Sequence, residues 1–472
     1  MNQGSRDSQP AAGASADGGA PHPAATIAAT ILGSSLAFID GSVVNVALPT
    51  IGRALHAGPA DLAWTINAYL LPLGALTLLG GAAGDHFGRR RLFLLGIGLF
   101  LVASVLCAAA PTLGLLLAGR GLQGVGAALL MPNSLALLGV GFSGKARGRA
   151  IGTWAATGAI AGAVGPVIGG WTVDHLGWRP IFLINVPIGA AAAWLAARYV
   201  EESRDHRTPA RLDGYGALFV TLGLGLIVWA LTAAAEPATS RVALWATLSA
   251  GAAATAAFVV IEQRRGPDAL MPFALFGTAA FVGLSLFTFF LYAALGGLIV
   301  LLPFALIRIG GYSAVQAGMA MLPLPIVIAL GSRLMGGIAA KLGGRLLLTA
   351  GAVVVAAGLA LYARVETGRL DYWQDVLPPT LLVSIGMAIC VAPLTMVMAA
   401  VDADHVGAAS GFNSAIARIG GLIATALLGF VFAAADAAVL LQRIHAAAFA
   451  GVACAVVAAI CACALVRDAD GG

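Results

Sequence analysis

Gly81-Ala-Ala-Gly84-Asp85-His86-Phe87-Gly88-Arg89-Arg90-Arg91 is a short polar turn held between two long apolar runs. Gly88 permits the reversal, Asp85 closes the first run, and the arginines mark one face of whatever the runs cross. Outward from this turn the pattern repeats, with apolar runs of twenty or more residues from Thr26 almost to the C-terminus. Each is long enough to span a bilayer. Over the 472 residues, 60% are hydrophobic and 10% charged, and mean hydropathy is +0.94. A soluble domain carries about 25% charged residues. Soluble enzymes, nucleic-acid binders and disordered regulators are excluded, so the chain reads as a polytopic membrane protein.

Charged or Pro/Gly breaks divide the runs into fourteen helices. The expected fold is an all-α polytopic bundle, because an open sheet edge cannot face lipid. Residues 1–25, rich in Ala, Gly, Ser and Pro, read as a disordered cytoplasmic tail rather than a signal peptide. Six helices occupy 26–200, a charged linker 201–213, an inserted helix pair 214–263, a second linker 264–277, six further helices 278–466, and a short tail 467–472. Sixteen of the 26 basic residues fall on the side shared with the termini, seven on the opposite side and three within helices. That imbalance predicts both termini in the cytoplasm. Heavy use of Arg, Ala and Gly, with only Lys145 and Lys341 as lysines, fits a bacterial source and a cytoplasmic (inner) membrane location.

The turn at 81–91 has a counterpart. Gly81, Gly88, Arg90, Leu92 and Gly96 recur 255 residues later as Gly336, Gly343, Arg345, Leu347 and Gly351. Gly148, Ala150 and Gly152 recur 259 residues later as Gly407, Ala409 and Gly411. The near-constant offset predicts two pseudo-symmetric six-helix bundles, with the pair inserted between them. Parallel repeats of this kind are a transporter architecture, with substrate bound at mid-membrane between the halves.

Asp40 sits mid-helix in Gly33-Ser-Ser-Leu-Ala37-Phe-Ile-Asp40-Gly-Ser-Val-Val-Asn45. An ionised carboxylate at mid-bilayer costs about 2.5–3.5 kcal/mol even on the insertion scale. Gly33, Ala37, Asp40 and Ala47 share a small-residue face, which should turn the carboxylate into the bundle. An apolar setting favours a protonated carboxyl, so Asp40 is a proton-coupling candidate; a purely structural carboxylate is the alternative. Arg120 lies in Ala118-Gly-Arg120-Gly-Leu-Gln123-Gly-Val-Gly-Ala127, with Gln123, Gly124 and Ala127 on its face. It cannot discharge, so it must pair, face water or snorkel; a cation beside Asp40 would hold the carboxylate ionised. In Gly158-Ala-Ile-Ala-Gly162-Ala-Val-Gly165-Pro166-Val-Ile-Gly169-Gly170, the glycines at 158, 162, 165 and 169 form one expected groove for a second helix. Pro166 should bend it, giving either tight packing or a hinge.

Together these stretches resemble the major facilitator superfamily, and more closely its fourteen-helix drug:proton antiporters. The 81–91 turn is similar to the superfamily's helix 2–3 signature, with Ala83 for Leu and His86 for a basic residue. The resemblance implies conformational roles for Gly81, Asp85, Gly88, Arg89 and Arg90; the second copy has Ala340 where an acid would stand. Arg120, Gln123, Gly124 and Gly126 match the helix 4 signature, whose arginine is assigned to proton transfer. Gly165-Pro166-x-x-Gly169-Gly170 matches the helix 5 signature of exporters, with Ala161 for its leading glycine. Asp40-Gly-Ser42-Val-Val-Asn45-Val-Ala-Leu-Pro49 is similar to the helix 1 motif, with Ser42 for Thr.

The expected function is a proton-coupled efflux antiporter exporting small amphipathic molecules or drugs by alternating access. The alternatives are a proton-coupled uptake symporter, or an exporter dedicated to one endogenous metabolite or antibiotic. Cavity candidates are Asn45, Trp64, Asn67, Tyr69, Gln123, Trp154, Asn185, Asn413 and Arg418. Asp40 and Arg120 are expected to line the central cavity between the two bundles, with both inserted helices outside it. Trp171, Trp178 and Trp373 read as interfacial anchors. No enzyme constellation is legible: the seven histidines are placed in loops or tails, and the five cysteines lie in apolar runs. No cofactor, metal or nucleic acid is expected. The partners are a small molecule, protons and lipid, for a monomer working alone or with an accessory export partner.

Overall fold

The computed structural model describes residues 21–204, 213–236, 238–266, 276–365, 370–401 and 406–466. The first twenty residues, most of both linkers and the tail at 467–472 lie outside these ranges. The described residues hold fourteen helices long and apolar enough to cross a membrane. They are α1 (Pro23–Leu55), α2 (Pro59–Phe87), α3 (Arg89–Ala109), α4 (Leu113–Gly141), α5 (Gly144–Leu176), α6 (Pro180–Tyr199), α7 (Gly214–Ala233) and α8 (Arg241–Arg265). After the second linker come α9 (Ala279–Arg308), α10 (Ala314–Ala320 continuing as Pro323–Leu342), α11 (Gly344–Leu361), α12 (Leu377–Val401), α13 (Val406–Leu427 continuing as Gly429–Phe432) and α14 (Ala437–Leu465).

Local chemistry starts and stops these helices. Proline opens α1, α2 and α6, where a missing N–H costs nothing. Thr112, Asp213, Thr278, Ser313 and Asp436 accept from backbone N–H groups at the starts of α4, α7, α9, α10 and α14. Span α6 breaks at Ile184, because Pro187 has no N–H to offer the Leu183 carbonyl. Its second segment begins at Asn185.

Helices α1 to α6 pack mainly on one another, and α9 to α14 do the same. The two sets meet along α5 with α10, α2 with α13, and α1 with α9. Leu36, Phe93, Phe100 and Leu130 centre one core, and Phe281, Phe287, Leu348 and Val355 the other. A third cluster belongs to both halves. It joins Val43, Leu48, Ile51 and Phe182 to Val300, Phe304 and Phe432, on the side away from the chain termini. Trp178 is part of it, 3% exposed, with the Arg179 guanidinium 4.5 Å over its ring. The expectation that Trp178 anchors at an interface is therefore wrong. Its ring packs within the apolar cluster, whereas Trp171 and Trp373 are exposed.

Gly96 and Gly126 bring α3 and α4 together backbone to backbone, and Gly351 and Gly386 do the same for α11 and α12. Gly88 and Gly343, between α2 and α3 and between α10 and α11, both have positive φ, 114° and 83°.

The inserted helices differ from one another. α7 lies against α2 and α13 at once, through fully buried Val228, Leu422 and Ala426. α8 packs on α7. Trp229 is 40% exposed, on the outside. At the terminal-side end of the pair, Asp213 caps α7 and its Oδ1 lies 3.3 Å from Arg265 Nε, beside the fully buried Glu262.

Candidate functional site

Asp40 is 0% exposed and Arg120 1% exposed, and the two form an ion pair inside the first half. α1 positions the carboxylate and α4 the guanidinium. The other carboxylate oxygen, Oδ1, accepts from Gln123 Nε2 (3.0 Å) and Asn185 Nδ2 (3.1 Å). Arg120 also donates through Nε to the Thr65 carbonyl (3.1 Å) and through Nη1 to Gln123 Oε1 (2.9 Å). Ser104 Oγ accepts from Gln123 Nε2 at 2.9 Å and from Asn185 Nδ2 at 3.2 Å. The Arg120 guanidinium lies 4.5 Å over the Tyr69 ring and 5.9 Å from that of Phe182.

Five helices of one half therefore converge on a single buried ion pair. A buried charge that loses its partner is strongly destabilising, so the two groups hold each other. Protonation of Asp40 would cancel one charge and leave Arg120 in need of another acceptor. Asn185 Oδ1 is buried with no partner among the described residues, an acceptor inside the same cluster.

Of the expected cavity residues, Tyr69, Gln123 and Asn185 join Asp40 and Arg120. The Tyr69 hydroxyl donates to the Ala37 carbonyl (3.2 Å). The others are elsewhere. Asn67 accepts from Thr425 across the seam between halves, and Trp64 packs beside α7. Trp154 Nε1 donates to Ser34 Oγ (2.8 Å) within the first half, and Asn413 Oδ1 accepts from Thr288 (2.6 Å) within the second. Asn45 is buried in α1. Arg418 lies half-buried on α13 where that helix meets α2 at Gly74. Asp40 and Arg120 were expected to face the central space; they are instead sealed inside the first half, because three other helices close over them.

Ser104, Thr65 and Phe182 were not anticipated. Past its three opening arginines, α3 has only Ser104 and Cys107 as polar exceptions, a signal of polarity that does not say what Ser104 binds. His445, expected in a loop, lies in α14 with a ring nitrogen 2.8 Å from the Val365 carbonyl.

The glycines of α5 divide their work. Gly158 faces the Phe38 ring, while Gly165 and Gly169 meet the backbone and side chains of α1 at Ile39, Ser42 and Val43. Gly162 was expected in the same groove, yet a Cβ there would meet nothing within 4 Å. The Phe38 ring props the helices apart at Gly158, and they converge only from Gly165 onward. Gly170 instead faces the Ala314 carbonyl of α10, and Gly318 of α10 faces the Pro166 carbonyl. Beside them, the Asp174 carboxylate accepts from the Ala314 N–H (3.0 Å) and the Val315 N–H (2.9 Å). A side chain of one half thus caps a helix of the other.

At the turn that opens α3, Asp85 pairs with Arg89 at 2.7 Å rather than with a distant helix. Glu202, just past α6, supplies the long-range contact. Its carboxylate accepts from the N–H groups of Arg90 (3.0 Å) and Arg91 (3.1 Å). Gly81 lies beside Pro132 of α4, and Gly88 leaves room for the Glu202 carboxylate.

Residues 30–425 match the family model of the Major Facilitator Superfamily. Multidrug resistance protein Stp of Mycobacterium tuberculosis is 35% identical over 413 residues, 87% of this chain and 76% of that protein. The methylenomycin A resistance protein of Bacillus subtilis is 34% identical, covering 85% of each chain. Puromycin resistance protein pur8 of Streptomyces alboniger is 37% identical, over 86% of this chain and 81% of that one. Among solved structures, a bacterial homologue of the human lysosomal transporter Spinster, inward-facing and unoccupied, superposes with a TM-score of 0.66 at 17% identity, covering 96% of this chain and 99% of that one. With a matching family model across most of its length, and fourteen helices long and apolar enough to span a membrane among the described residues, the chain belongs to the major facilitator superfamily.

Proposed function

We propose that this protein is a proton-coupled antiporter that exports small amphipathic molecules across a bacterial cytoplasmic membrane by alternating access, both termini being cytoplasmic. The observation that carries the reading is the sealed Asp40–Arg120 pair with its satellite amides. Ionised, Asp40 locks α1 to α4 and α6; protonated, it frees Arg120 and loosens that joint. A proton arriving and leaving thus has two packings to select between. One charge crossing 100 mV supplies about 2.3 kcal/mol, roughly a fifty-fold concentration ratio per proton. No cofactor is needed, since the proton gradient is the energy source. The seal between halves on the far side supports a resting state that takes up its cargo from the cytoplasm. The names of the relatives, which concern multidrug, methylenomycin A and puromycin resistance, support export.

The test is a panel of toxic amphipaths applied to an efflux-deficient bacterial host with and without the gene, each with and without an uncoupler. Resistance that the gene confers and the uncoupler removes is the expected result. Heightened sensitivity would indicate uptake, and resistance indifferent to the uncoupler would remove the proton from the mechanism.

A further inference from the structure

Arg418 is a charge within a spanning helix that the Asp40–Arg120 cluster does not use. Its helix, α13, turns one stripe toward the first half. Leu422 on that stripe is fully buried, and Thr425 donates to Asn67 of α2. Arg418 is one turn before Leu422 on the same stripe. A Cβ on Gly74 of α2 would lie 3.6 Å from the Arg418 Cβ, so the absent side chain leaves room at this point of the seam. Arg418 therefore leaves α13 at the seam between the halves, against α2. Four ion pairs occur among the described residues and none includes Arg418. Asp40, the acid that lies deep in the neighbouring half, is held by Arg120.

An arginine cannot discharge itself, and an uncompensated charge inside a membrane protein is costly. Arg418 is partly buried at the seam, so parting of the halves would bring it to an incoming molecule. We propose that Arg418 is the anchor for an acidic group on the cargo, so that the exported molecules are amphipathic organic anions such as carboxylates or phenolates. The planar guanidinium suits a carboxylate bidentately, and the apolar helix faces around it take the remainder of the molecule. This rests on the antiport reading for its direction, though the site itself does not. Export of one anion against one entering proton moves two positive charges inward in net terms. Such transport responds to membrane potential, whereas exchange of a monocation for a proton does not.

The test uses full-length protein, purified in a neutral detergent, with two fluorescent probes: fluorescein as the anion and ethidium as the cation. Saturable fluorescein binding by anisotropy is expected, with Arg418→Gln weakening it by about tenfold or more, the loss of a charge-assisted contact. Arg418→Lys should retain part of the affinity, and ethidium binding should not fall in either variant. Fluorescein should raise the melting temperature of the parent and not of Arg418→Gln. Without probe, that variant should melt no lower than the parent, because it sheds an unpaired charge. No fluorescein binding by the parent, equal loss of both probes, or a large drop in melting temperature without probe would each overturn the assignment. In proteoliposomes, fluorescein export driven by a pH gradient should be accelerated by a potassium–valinomycin potential, negative on the cytoplasmic face of the protein. Arg418-dependent binding without proton-driven movement would keep the anion site and refute antiport instead.

Discussion

Asp40→Asn should abolish uphill, proton-driven transport and lower the melting temperature, because Arg120 loses its counter-charge, while the amide keeps the size of the side chain and its oxygen still accepts, so the protein folds. Proton release and substrate accumulation in inverted vesicles measure the first effect and thermal melting the second, with expression as the control. Coupled transport at the parental rate would remove Asp40 from the proton path. Arg120→Lys keeps the charge but loses the fork that reaches Asp40, Gln123 and the Thr65 carbonyl together. A rate loss of tenfold or more is expected, on the order of 1.4 kcal/mol, and Lys working as well as Arg would contradict the paired geometry. Both residues were legible in the sequence because an ionisable group in a long apolar run must find a reason to be there. Their neighbours were less so. Serine at 104 is cheap in a helix and satisfies itself on the Phe100 carbonyl, so nothing in the one-dimensional pattern marks it as the acceptor for two amides. Whether a polar group faces a cavity or another helix also depends on neighbours far away in sequence, which is why Asp40 was expected to be more open than it is.

At the scale of elements, α5 shows how far a small-residue stripe can be read. The spacing announces close approach, but which helix approaches each glycine depends on the crossing angle. Gly162→Ala should be silent, since a methyl group there meets nothing within 4 Å. Gly165→Leu should drive the side chain into Ser42 and the Ile39 carbonyl, with a cost of about 1–3 kcal/mol or more from overpacking. Thermal unfolding in detergent separates the two; equal effects would refute the packing described for α1 and α5. The turn before α3 teaches a similar lesson. Gly88 and the arginines were evident as a reversal, whereas the partner that fixes them, Glu202, comes from a charged stretch that read only as a linker.

At the scale of the molecule, the repeat offset was visible because turns and glycine contacts constrain residue type, as Gly88 with Gly343 and Gly96 with Gly351 show. The joints between the halves had no such signature. Asp174 reads as one more acid near a helix end, and only the fold brings the start of α10 to it. This contact can exist only while the far side is closed. Asp174→Asn should therefore weaken closure and raise labelling of a cysteine introduced at Val315 by an impermeant thiol reagent added from outside. Unchanged labelling would show that the capping contact does not bias the equilibrium. A different consequence belongs to α7. It touches α2 in one half and α13 in the other, so when the halves rock it can travel with only one of them and must slide over its other neighbour. The inserted helix would thus act as a brake shoe. Its friction would govern how many cycles are completed each second and leave the tightness of cargo binding as it was.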